Sequence, residues 1–168
     1  VIMMDFQRAF DLVPFRHMLA KISSHGIDGQ VYKWIENWTK DRSQRCVLNG
    51  EHSEWASVMS SVVQGSVLGP ILFTIFINDL DLSINPLNGV LISKFADDTK
   101  LGKCIENEQD CHKLQNAIND LVQWSKTYGM KLHPDKCIVL HFGSNNPRNA
   151  YYIDDAQVTV CEQARDLG

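Results

Sequence analysis

The stretch Val90-Leu91-Ile92-Ser93-Lys94-Phe95-Ala96-Asp97-Asp98-Thr99-Lys100-Leu101-Gly102-Lys103-Cys104-Ile105 decides the fold. Apolar residues populate both arms, and an acidic pair interrupts them. The pattern predicts a strand over Val90–Phe95, a turn at Asp97-Asp98 and a returning strand over Thr99–Ile105. Adjacent carboxylates repel and raise each other's pKa, so an Asp-Asp turn between core strands is electrostatically poor by itself. A divalent cation removes that penalty.

Downstream, Glu108 to Tyr128 reads as a helix with Cys111, Leu114, Ile118, Leu121, Val122 and Trp124 on its apolar side. Cys137 to Phe142 reads as a strand, and Tyr151–Ile153 with Val158–Val160 as a last hairpin. Upstream, Val1 to Phe6 is apolar except for Asp5 and predicts a buried strand. Pro14 opens a helix that Gly26 stops, and Asp28 caps a second. Arg45–Leu48 and Ser53–Val58 flank Asn49-Gly50, the strongest short hairpin signal. Gly65 to Pro70 is a loop feeding an apolar helix over Ile71–Leu80. This order lacks strict β-α alternation. It predicts an α+β fold, an antiparallel sheet with helices packed on one face and a ferredoxin-like element, as one domain over residues 1–168.

Composition narrows the function. No apolar run reaches the roughly 18 residues that span a membrane. The net charge of −4 is unexpected for a nucleic-acid binder, unless acidic metal ligands pull the balance down or the basic contacts lie elsewhere. The five cysteines include no Cys-x-x-Cys pair and fit a reducing compartment. His133, Cys137 and His141 are evenly spaced, but residues four apart on a strand sit too far apart to share a zinc ion easily.

Asp5 and Asp97-Asp98 stand out because each interrupts an apolar run. Asp5 follows four apolar residues, and a buried unpaired carboxylate is costly. Three carboxylates converging from two strands suit Mg²⁺, a hard cation that prefers oxygen. An ordinary turn pair is the competing reading of Asp97-Asp98. Asp154-Asp155 is also a doublet between strands, but it sits in a short polar hairpin where the turn reading wins.

Asp5-Phe6-Gln7-Arg8-Ala9-Phe10-Asp11, Gln64-Gly65-Ser66-Val67-Leu68-Gly69-Pro70, Phe95-Ala96-Asp97-Asp98, Gly129 to Lys136, and Asp166-Leu167-Gly168 occur in that order. Asp41-Arg42-Ser43-Gln44 and Ile77-Asn78-Asp79-Leu80 lie between them. On these blocks the chain resembles the reverse transcriptases of non-LTR (LINE-type) retrotransposons, most nearly the jockey-like elements. The resemblance implies a polymerase palm with part of the fingers, cut short at both ends, whose thumb and N-terminal fingers lie beyond the segment. It implies RNA-directed DNA polymerase activity, a two-metal nucleotidyl transfer to a primer 3′-hydroxyl. Asp5 and Asp97 would hold two Mg²⁺ ions with Asp98 beside them, Mn²⁺ being an alternative.

By the same resemblance Phe10 would screen the sugar 2′ carbon, and Gln64 and Gly65 would lie against nucleotide and template. Lys136 would protonate the leaving pyrophosphate, and Leu167-Gly168 would begin the primer grip. The implied partners are an RNA template, a DNA primer and deoxynucleoside triphosphates, with no membrane. The implied setting is inside the cell, in nucleus and cytoplasm, and the segment alone is expected to be inactive. The chain departs from the family at Ser61-Val62-Val63, where Gly-Val-Pro is usual, at His133, where Asn is usual, and at Phe15 and Asp166. Two other readings stay open: a non-catalytic remnant of a decayed copy, and a metal-dependent phosphoesterase using the same carboxylates.

Overall fold

The computed structural model describes residues 1–166. The chain divides into two compact units, Val1–Ala9 with the chain from Ile77 onward, and Phe10–Phe76.

The first unit is built on a five-stranded sheet of order β11-β8-β1-β7-β6. Its strands are β1 (Ile2–Met4), β6 (Leu91–Phe95), β7 (Asp98–Gly102), β8 (Ile138–Leu140) and β11 (Thr159–Cys161). The chain's first strand is central. It pairs antiparallel with β7 (Ile2↔Leu101, Met4↔Thr99) and with β8 (Ile2↔Val139). The apolar alternation explains the register. Ile2, Met4, Leu101 and Val139 are buried, and Thr99 joins them, because paired residues of an antiparallel ladder share a face. Helix α5 (Glu108–Tyr128) buries Leu114, Ala117, Ile118, Leu121 and Val122. Its ends follow local signals: the Asn107 side chain accepts from the Asp110 amide, and Gly129 takes the left-handed conformation at φ 72°.

The expected last hairpin needs correction. Tyr152–Ile153 (β9) pairs with Ala156–Gln157 (β10) around Asp154-Asp155, not with Val158–Val160. Residues Thr159–Cys161 form β11, which lies parallel to β8 (Val160↔Val139). The Val158 amide donates to the Tyr151 carbonyl at 2.8 Å and closes the small hairpin, which frees the next residues to pair with the edge of β8. The strand expected to run to Ile105 ends at Gly102, and the one expected from Cys137 starts at Ile138.

The second unit holds α1 (Ala9–Leu12, its first residue in the other unit), α2 (Phe15–Ser24), α3 (Gly29–Thr39) and most of α4 (Leu68–Ile77). Helix α4 starts three residues before the expected Ile71 and stops before Leu80. The Ser66 hydroxyl accepts from the Gly69 amide at 2.9 Å and sets the earlier start. Leu72, Phe73 and Phe76 are sealed, and the buried Lys21 donates from Nζ to the Phe76 carbonyl at 2.6 Å. A hairpin forms around Asn49-Gly50 as expected, but its arms are β3 (Val47–Leu48) and β4 (Glu51–His52), not Arg45–Leu48 and Ser53–Val58; β2 (Ser43–Gln44) pairs with β5 (Ala56–Ser57) beyond it. Asn49 and Gly50 both take positive φ (52° and 86°), as a two-residue primed turn requires. Among the described residues no helix is long and apolar enough to cross a membrane.

Candidate metal and nucleotide site

Strand register brings the acids together. Met4 and Thr99 pair with both side chains inward at the end of the β1–β7 ladder, so Asp5 follows directly after β1 where Asp98 opens β7. On the other side of β7, Phe95 pairs with Asp98, so the two-residue turn is Ala96-Asp97, with Ala96 at φ 52°, rather than the expected Asp97-Asp98, and β7 begins at Asp98 rather than Thr99. Asp97 therefore sits at the hairpin tip, next to Asp98 and within reach of the Asp5 charge. Burial pushes its carboxyl pKa up, its own backbone amide opposes this, and the charges of Asp98 and Asp5 add to the rise. The Asp5 Oδ1 atom is enclosed and accepts no hydrogen bond, and the nearest cation, Lys136 Nζ, stands 3.9 Å away.

Carboxylate oxygens are the donor chemistry of a hard divalent ion, and the unpartnered Asp5 Oδ1 is the feature here that fits one. Among the described residues, however, no three His, Cys, Asp or Glu side chains are gathered closely enough to hold one. The donor set fits such an ion in its chemistry, while its side chains form no closed cage. Asp154 stands apart in role: in its hairpin turn it pairs with Lys126.

Lys136 lies in a single 3₁₀ turn, Pro134–Lys136. The residues around it grip the Asp5 backbone. The His133 amide donates to the Asp5 carbonyl at 2.9 Å, and the Asp5 amide donates to Cys137 Sγ at 3.3 Å. Cys137 is completely buried, and burial pushes its thiol pKa up. The sequence gives no hint of this contact, because Cys137 reads as one more apolar residue at a strand start.

The other candidates belong to the second unit. The Phe10 ring stacks on Phe73 at 4.3 Å, and its carbonyl accepts from the Val62 amide at 2.6 Å. The Ser61 amide donates to Val13 O, so residues 60–64 run alongside residues 10–14. This pairing lets Gln64 Nε2 donate to Asp11 Oδ1 at 2.9 Å. Asp11 reads as a surface acid in the sequence, and nothing local marks it as a partner for Gln64. Gly65 has φ 79°, and a Cβ there would meet nothing within 4 Å. The glycine is thus set by backbone conformation, and the space beside it is open. Asp5, Asp97, Asp98 and Lys136 gather in one unit, and Phe10, Gln64 and Gly65 in the other. Leu167-Gly168 lie outside the described residues.

A carboxylate-bearing hairpin beside a central strand, on a mostly antiparallel sheet, belongs to a recognisable class. Residues 1–165 match the family model for reverse transcriptase (RNA-dependent DNA polymerase), and the chain belongs to that family. It is similar to the RNA-directed DNA polymerase from mobile element jockey of Drosophila melanogaster, 28% identical over 147 residues, which are 84% of this chain and 16% of the relative. The jockey protein of Drosophila funebris is 29% identical over 83% of this chain and 16% of its own length. The probable RNA-directed DNA polymerase from transposon BS of Drosophila melanogaster is 26% identical over 82% of this chain. The chain thus spans only 16% of the length of these curated relatives.

Proposed function

We propose that this chain carries the catalytic palm of a retrotransposon RNA-directed DNA polymerase, adding deoxynucleotides to a primer 3′-hydroxyl along an RNA template. The observation that carries the reading is the pairing of β1 with β7, whose ends carry Asp5 and Asp98, together with the action of both charges on Asp97. Family membership supports it. Asp5, Asp97 and Asp98 supply hard oxygen donors, for which Mg²⁺ is the matching ion and Mn²⁺ an alternative. When bound, such ions would activate the primer hydroxyl and neutralise charge on the triphosphate.

The chain's own groups do the rest. Lys136, whose ammonium lies 3.9 Å from Asp5, stands at the carboxylates with a proton to give a departing pyrophosphate oxygen. Phe10 offers an aromatic ring without a hydrogen-bond partner for a 2′-hydroxyl. Gln64 and the open backbone at Gly65 offer a polar amide and an unobstructed approach to a nucleotide and template. The five free cysteines support a place inside the cell.

The test is primer extension on RNA by a longer polypeptide containing this segment. Asp97→Asn removes a charge at nearly constant shape. It should lower extension in Mg²⁺ by roughly 1,000-fold, or about 4 kcal/mol of transition-state stabilisation. Extension at the unsubstituted rate by Asp97→Asn would overturn the assignment. No extension by the unsubstituted polypeptide would favour a non-catalytic remnant.

A further inference from the structure

The carboxylate of Asp5 is not fixed by any hydrogen bond to its enclosed oxygen. Oδ1 has no hydrogen-bond partner, and Lys136 stands at 3.9 Å, a distance of charge rather than of hydrogen bonding. Asp5 also lies one residue past the end of β1, so ladder pairing to β7 no longer defines it. What holds it is the backbone on either side of its Cα. Its amide donates to Cys137 Sγ at 3.3 Å, and its carbonyl accepts from the His133 amide at 2.9 Å. Cys137 is itself tied to the preceding turn: it is fully buried, and its amide donates to the carbonyls of His133 and Pro134 at 3.2 and 3.1 Å.

We propose that Cys137 is a positioning residue for Asp5. Its sulfur accepts the Asp5 amide hydrogen bond and thereby aims the Asp5 carboxylate at Asp97 and Asp98. The inference rests on the reading of Asp5, Asp97 and Asp98 as ion-holding carboxylates. Cys137 touches neither substrate nor ion; it acts through the Asp5 peptide. An amide withdrawn from water needs an acceptor, and for this partly buried one the sulfur provides it. Groups that orient a metal-holding side chain typically change affinity by roughly 10–100-fold when removed. The requirement is therefore for an acceptor of this size, which Ser also supplies and which Ala and Val do not.

The experiment uses the 168-residue chain and Mn²⁺ as the probe. Mn²⁺ broadens amide signals near its site, and a titration that follows Asp5, Asp97 and Asp98 gives an apparent affinity. Asp97→Asn is the control for the carboxylates. Cys137→Ala should weaken the apparent affinity by roughly 10–100-fold, while Cys137→Ser stays within about 3-fold of the unsubstituted chain. Cys137→Val fills the space without an acceptor, should behave as Cys137→Ala, and carries the same test if the alanine variant does not fold. If Asp97→Asn abolishes broadening while Cys137→Ala and Cys137→Val bind as before, the positioning role is wrong and the carboxylate site stands. Equal weakening by Ser and Ala would also overturn it, since packing rather than an acceptor would then be the cause. If Asp97→Asn binds Mn²⁺ unchanged, the carboxylate reading itself fails, and this inference fails with it.

Discussion

At Asp97, folding stability and the proposed chemistry oppose each other. Burial, then the charges of Asp98 and Asp5, raise its carboxyl pKa, so the folded chain binds a proton more readily than the unfolded one. Stability therefore falls as pH rises from the ordinary Asp pKa of about 3.9 through the raised folded value, and the loss persists at neutral pH. Asp97→Asn should melt at the same temperature as the unsubstituted chain or higher at pH 7 without divalent ions, and lose that advantage near pH 3. Thermal melts across pH check this, and a lower melting temperature for Asp97→Asn at pH 7 contradicts it. Phe10 separates sugar selection from packing. Its ring stacks on Phe73 but is not sealed. In an extension-competent polypeptide, Phe10→Val should lower the ratio of catalytic efficiencies for deoxy- over ribonucleotides. If packing were its whole role, Phe10→Ala would cost roughly 3–5 kcal/mol of stability and leave that ratio unchanged. The acidic pair is legible in the sequence because charge inside an apolar run is conspicuous. Cys137 and Asp11 are not, because the contacts they make, with Asp5 and Gln64, join residues far apart in the chain.

Among the elements, α5 is the most local in its causes. Asn107 at its start and Gly129 past its end set the boundaries expected from sequence. Asn107→Ala should cost about 1 kcal/mol of unfolding free energy by losing the acceptor for the Asp110 amide. Denaturant unfolding measures this, and an unchanged midpoint would show that the cap contributes nothing. The Asn49-Gly50 hairpin is legible for the same reason, since its turn chemistry lies within two residues. The end of the sheet is not. Val158–Val160 has the alternation of a hairpin arm, and nothing local says that the chain will join β8 in parallel. Helix α4 shows the same limit on a smaller scale: its apolar residues predict a helix, but its start depends on the Ser66 hydroxyl meeting the Gly69 amide.

For the whole chain, charge is the governing quantity. The 16 Lys and Arg residues are outnumbered by 20 Asp and Glu. Several lysines are already committed to carboxylates: Lys94 to Asp81, Lys100 to Asp166, Lys103 to Asp110 and Lys126 to Asp154. Affinity for a nucleic-acid backbone comes from cations that neutralise phosphates. The 168-residue chain by itself should therefore bind an RNA–DNA duplex no more tightly than about 10⁻⁵ M at physiological salt, and should show no template-directed extension. Fluorescence anisotropy and gel-based extension read the two outcomes, and sustained extension by the segment alone would contradict the expectation. The central place of β1 has a consequence for biosynthesis. Ile2 leaves the ribosome almost a hundred residues before its partner Leu101, and Val139 follows later still. At roughly 5–20 residues per second, this apolar strand spends about 5–20 seconds without its first ladder partner. During that time it is a target for chaperones and for the equivalent strand of a neighbouring nascent chain, so crowded polysomes should be where this protein aggregates first.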